Sequence, residues 1–155
     1  GCSVMSFVGA GFVGFAHTLP QVNMYTYGTL VTAMHGHMAF WGAYAMLILA
    51  IITYAMPIMT GRKLHDSPSN TFAFWTSNIG MIAMTVAFGI AGIAQVYLER
   101  KMGIDFLQVQ KEVEVHFLGL VLAATLFTVG MIAFIMNFIK FGLPSDVSLQ
   151  TSERK

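Results

Sequence analysis

What this chain has least of is charge. Its 155 residues include eight Lys or Arg and seven Asp or Glu, 10% in all, where an ordinary soluble domain carries roughly 25%. The shortage is also uneven. No Asp, Glu, Lys or Arg precedes Arg62, none lies between Thr71 and Leu98, and none separates Glu114 from Lys140. Each interval can hold the roughly 20 apolar residues that cross a bilayer core, which argues against a water-soluble globule. Cysteine is nearly absent too. Cys2 stands alone, so no internal disulfide can form, and a lone thiol in an apolar helix behaves as a small hydrophobe. With a net charge of +1 and no basic run, nothing recommends nucleic acid as a partner. There is no Gly-rich phosphate loop, Ser/His/Asp arrangement or Cys/His cluster, which leaves hydrolytic and nucleotide-dependent chemistry without support.

What remains is apolar. Hydrophobic residues make up 56% of the chain, with twelve Met and thirteen Phe that we read as gap-fillers and lipid-facing side chains. In lipid every backbone group needs an internal partner, so such runs form helices rather than strands. The expectation is an all-α transmembrane helix bundle, a single partial membrane domain over 1–155. Spanning segments are expected near 1–16, 28–59, 71–98 and 112–141, followed by a cytoplasmic tail over 142–155. The first stretch has no initiator Met, basic n-region or cleavage site. It reads as the second half of a spanning helix, which would make the chain the C-terminal part of something larger. Pro20 and Asn23 break the first segment, Ser69 or Asn70 is expected to cap the third, and Gly142 and Pro144 stop the fourth. Small residues four apart, Ala39 and Ala43, then Ala83, Ala87 and Ala91, are expected to face neighbouring helices. By the positive-inside rule, Arg62, Lys63, Lys140, Arg154 and Lys155 outweigh Arg100, Lys101 and Lys111, which puts the C terminus in the cytoplasm.

Against this background two imidazoles, His35 and His37, sit one residue apart in the segment Thr32-Ala-Met-His-Gly-His-Met-Ala-Phe-Trp-Gly-Ala-Tyr44. Helical positions i and i+2 diverge by about 200°, so the pair cannot hold one metal between them. It can meet two partners, one on each side of the helix. Ionisable groups inside a membrane usually mark function; the alternative is a pair of hydrogen-bonded bundle residues. A neutral imidazole is a good iron ligand, and Gly36, with Ala33 and Ala39 nearby, leaves room for a planar macrocycle to approach. Two haems flanking the helix would each hold iron roughly 6 to 7 Å from its axis, close enough for rapid electron transfer.

The His35-Gly-His37 pair, the Met-Ala-Phe-Trp-Gly-Ala-Tyr that follows it, and the approach His17-Thr-Leu-Pro-Gln-Val-Asn23 with Thr26-Tyr-Gly-Thr29 resemble the large cytochrome b subunit of bacterial nitric oxide reductases. The resemblance runs through the whole chain and falls within the twelve-helix haem-copper oxidase fold, favouring the cytochrome c-dependent kind. It implies that His35 is the proximal ligand of a high-spin haem b and His37 an axial ligand of a low-spin haem b. It implies that nitric oxide is reduced to nitrous oxide between the high-spin haem and a non-haem iron. It further implies electrons from a haem c subunit, protons from the periplasmic side and a bacterial cytoplasmic membrane. The ligands of the non-haem iron and the second low-spin ligand lie on earlier helices outside this chain, so the chain alone is expected to be inactive. Tyr27 stands where the family leads one to expect a histidine.

The other polar residues have simpler readings. His17 is expected to be a solvated loop histidine, with a haem propionate contact as the alternative. Glu112, Glu114 and His116 are expected to open the fourth helix, where acidic groups suit the N-terminus; proton entry is the alternative. Asn78, Gln95 and Asn137 are expected to make interhelical hydrogen bonds, and His65 is given no role. An oxygen-reducing haem-copper terminal oxidase and a haem-free transporter with histidines lining a water path are the rival functions.

Overall fold

The computed structural model describes residues 2–61 and 67–142. Arg62, Lys63, His65, Asp66 and everything from residue 143 onward lie outside the described residues, and with them the expectations for Arg154, Lys155 and the tail. Among the described residues there is no strand and no cis peptide. The order is α1 (Cys2–Thr18), α2 (Pro20–Thr26), α3 (Leu30–Met59), α4 (Pro68–Lys101), α5 (Phe106–Glu112) and α6 (Glu114–Lys140). Three of these, α3, α4 and α6, with 30, 34 and 27 residues, are long and apolar enough to cross a membrane. At 1.5 Å per residue they run roughly 40 to 50 Å, beyond the roughly 30 Å hydrocarbon core. Helix α1 has 17 residues, about 25 Å.

The boundaries differ from expectation for local chemical reasons. Pro20 does not leave a loop behind it. It occupies the first turn of α2, where its missing N–H is no loss, so α1 runs on through His17 and the stretch from Pro20 to Asn23 is helical. Helix α4 is capped by Ser67, whose hydroxyl accepts from the Asn70 amide at 3.3 Å, rather than by Ser69 or Asn70, because Pro68 fits only just inside the start. Glu112 closes α5 and only Glu114 opens α6, the two helices meeting at the buried Val113.

The approach to α3 is a hydrogen-bonded turn. Gly28 has φ of +72°, a conformation that costs glycine nothing. The Thr29 hydroxyl donates to the Thr26 carbonyl at 2.7 Å and accepts from the Val31 amide at 3.3 Å, and the Thr32 hydroxyl reaches the same Thr26 carbonyl at 2.9 Å. This gives the Thr26-to-Thr29 motif a structural role as a helix cap. Just past His37, from Met38 to Ala45, α3 winds more loosely, with i→i+5 bonding.

Helix α4 is central, with α3 and α6 packed on it, and α1 lies on the other side of α3. Met81, Met84, Phe88 and Ala123 form the buried cluster, flanked by Leu30, Ala33, Met34, Met46 and Phe127. The backbones approach most closely at glycines. A methyl on Gly80 would lie 2.5 Å from the Phe127 amide nitrogen, one on Gly130 would lie 2.5 Å from that of Ser77, and one on Gly92 would collide with the Val31 backbone. Of the alanines expected to do this, Ala43 and Ala91 are buried, but Ala83 is exposed. The four-residue spacing drifts off the contact face, and glycine, with no Cβ, takes the tightest positions. We expect Gly80→Leu to lower the thermal unfolding midpoint in detergent, at a cost of about 1–3 kcal/mol from overpacking. Gly119→Ala, which meets nothing within 4 Å, should leave it unchanged or raise it slightly.

Candidate functional site

The two imidazoles of α3 meet different helices. His35 faces α1, where a methyl on Gly14 would come within 3.0 Å of its Cε1 atom. Its ring stands edge-to-face with that of His17, centroids 5.5 Å apart. His37 faces α4, its ring 4.6 Å from that of Phe88 and tilted by 36°. The divergence expected from helical geometry is thus present, with α1 on one side and α4 on the other. Gly36 between them opens onto free space.

Their donor chemistry differs. The Nδ1 of His37 lies 2.8 Å from the Ala33 carbonyl. A carbonyl only accepts, so the proton sits on Nδ1 and Nε2 keeps its lone pair, the tautomer a metal ligand needs. The Nδ1 of His35 is buried without a hydrogen-bond partner, and so is the Nε2 of His17. Each such group costs on the order of 1–3 kcal/mol. Beside His35 lies a cavity of about 270 Å³ lined by Ala10, Gly11, Gly14, Ala39 and Ala43 together with the aromatic Phe7, Phe15 and Tyr44. The donor set, one imidazole on each face of α3, is of the chemistry that holds haem iron. Among the described residues no three His, Cys, Asp or Glu come together to hold a metal.

Residues 1–126 match the family described as Cytochrome C and Quinol oxidase polypeptide I. The chain belongs to this family, the haem-copper oxidase subunit I proteins. Its members are membrane-embedded helical bundles that bind haem and metal, and three spanning helices make this chain a multi-pass membrane protein. It is also 36% identical over 152 aligned positions to the B subunit of nitric oxide reductase from Stutzerimonas stutzeri, covering 92% of this chain and 32% of that protein. The chain therefore spans about a third of the length of that relative.

The remaining expectations fare variously against the geometry. His17 is not a solvated loop residue. It is the penultimate residue of α1, half-buried against His35, because α1 continues two residues past its expected end. Gln95 does bond across helices, to the Leu30 amide, and Asn137 accepts from the Ser69 hydroxyl at 2.8 Å. Asn78 instead donates back to the Phe74 carbonyl of its own helix at 2.7 Å, since an amide one turn along reaches that acceptor first. His116 is half-buried on α6 with its Nδ1 unpartnered. Tyr27 is largely exposed and touches neither histidine. Two residues that build the site were not singled out from the sequence. Gly14 is one of three glycines described in α1, and Phe88 is one of thirteen phenylalanines; neither carries a signal of its own. Phe88 is 8% exposed, and Phe88→Ala should cost about 3–5 kcal/mol. Phe88→Leu should cost less than half of that, with thermal unfolding of the two variants in detergent as the measurement.

Proposed function

We propose that this chain is a haem-ligating part of a nitric oxide reductase of the cytochrome c-dependent kind. In that reaction two nitric oxide molecules, two electrons and two protons yield nitrous oxide and water. The observation that carries the reading is the identity to the B subunit of a nitric oxide reductase over nearly the whole chain, together with one histidine on each face of α3. His35 is the proximal ligand of a high-spin haem b and His37 an axial ligand of a low-spin haem b. When bound, these groups would supply one-electron redox chemistry, together with a non-haem iron that residues outside this chain would hold.

The chain's own residues then do three things. Ala33 fixes the His37 tautomer through its carbonyl. Gly14 leaves the His35 imidazole the space it occupies against α1. The apolar surfaces of α1, α3 and α4 keep water from the pair, which strengthens every electrostatic interaction between them. Electrons come from a haem c subunit, and the protein resides in a bacterial cytoplasmic membrane with its C terminus inside. The second reading, an oxygen-reducing oxidase, is favoured by the family description.

The test is a dithionite-reduced minus oxidised visible spectrum of membranes carrying the whole subunit, with nitric oxide and oxygen consumption measured alongside. His37→Ala should remove the low-spin b-type bands. His35→Ala should abolish nitric oxide consumption and spare those bands. If neither substitution alters the spectrum, both imidazoles are structural and the proposal fails; oxygen consumption without nitric oxide consumption would favour the oxidase.

A further inference from the structure

The amide of Leu30, the first residue of α3, has no partner within its own helix, as at every helix start. It donates to the Gln95 side-chain Oε1 of α4 at 2.9 Å. The Gln95 Nε2 donates in turn to the Glu99 Oε1 one turn further along α4 at 2.8 Å. Gln95 is only 2% exposed. Its carboxamide can be oriented in one way alone, because a backbone N–H cannot accept and a carboxyl oxygen needs a donor. The same turn is held from α4 a second time, by the Arg100 Nη2 donating to the Tyr27 carbonyl at 3.3 Å.

This contact shares its register with the haem-facing histidine. Leu30 precedes His37 by seven residues, and Phe88, on which the His37 ring rests, precedes Gln95 by seven. The helices run antiparallel, so the two contacts are one helix pairing sampled two turns apart, roughly 10 Å along the axis. Between them Gly92 meets Val31 and Gly89 meets the Met34 sulfur. Those apolar contacts set the separation of the helices. The Leu30–Gln95–Glu99 chain is directional and buried, and it resists both sliding and rotation.

We propose that Gln95 is a positioning residue for His37. By tying the start of α3 to α4, it holds the His37 imidazole at the depth and rotation required for axial ligation of the low-spin haem. This rests on the reading of His37 given above.

The test uses the haem-loaded subunit in membranes and reads the low-spin haem by its reduced b-type band, its electron paramagnetic resonance g-values and its midpoint potential. Gln95→Leu removes both hydrogen bonds. It should raise the fraction of haem lacking its low-spin signature by about threefold, the effect of one average polar bond across membrane helices, with a shifted potential in the remainder. Gln95→Glu keeps an acceptor for Leu30 but sets it against Glu99, so it should also perturb the signal. The exchange Gln95→Glu with Glu99→Gln keeps an acceptor for the Leu30 amide and rebuilds the second bond in the opposite sense, from the amide at position 99 to the carboxylate at position 95, and should return g-values and potential toward those of the wild type. If Gln95→Leu does not assemble, the comparison of Gln95→Glu with the exchange variant decides. Unchanged spectra in the single variants, or an exchange variant no better than Gln95→Glu, overturn the proposal. If His37→Ala removes the low-spin bands while the Gln95 variants leave them intact, only the positioning role fails; if His37→Ala leaves them, the ligand reading fails first.

Discussion

Two side chains placed two positions apart on a helix point about 200° away from each other, and the arrangement of the other helices depends on that divergence. For both His35 and His37 to be shielded, α3 needs a neighbour on each side at their level. Helix α1 supplies one with Gly14 and His17, and α4 supplies the other with Phe88. Once past the histidines α3 no longer needs to be enclosed. Its second half presents large apolar residues such as Ile48, Ile51, Tyr54 and Met59 outward, suited to lipid or to further helices.

The membrane character, the helical class and the three long spans are legible from charge spacing alone, because in lipid an uncharged run has few alternatives to a helix. The opposed directions of His35 and His37 follow from two positions and one helical repeat. Helix ends are less legible. Pro20 marks a break in one reading and a helix start in the other, and only the chain around it decides between them. Buried contacts are least legible of all. Gly14, Gly80 and Gly92 matter through what lies opposite them, and no local pattern separates them from Gly119, which meets nothing. The same holds for Asn78 and Gln95: both are buried amides in one helix, yet one bonds within its own helix and the other across to α3.

Packing here has to be achieved without the hydrophobic gain available in water, since lipid tails are as apolar as the helices. What remains is close contact and a small number of polar bonds. Gly80 and Gly130 bring α4 and α6 to backbone distance, and Gly92 does so for α4 and α3. Dispersion over such surfaces is large in sum but carries no donor–acceptor direction. Polar bonds across membrane helices average about 0.6 kcal/mol, small beside that sum but sharply dependent on position. The two therefore divide the work: glycines set how near the helices lie, and Gln95 to Leu30 with Ser69 to Asn137 set where along their length they meet.

The same accounting separates the possible roles of the two imidazoles. A histidine that serves only to join helices should bond to a neighbouring helix. The one backbone bond of His37 goes to Ala33, four residues back on its own helix, and so ties α3 to nothing. His35 has a buried ring nitrogen without a partner, which a bundle role would leave as a net cost of order 1–3 kcal/mol. An apolar side chain of similar shape would serve packing at either position at least as well. What an apolar side chain cannot supply is a lone pair directed away from α3 on each face. His37, with its Nδ1 engaged by the Ala33 carbonyl, and His35 on the opposite face each keep a ring nitrogen for that purpose. The pair of haems proposed above would draw on both imidazoles at once, one on each side of a single helix.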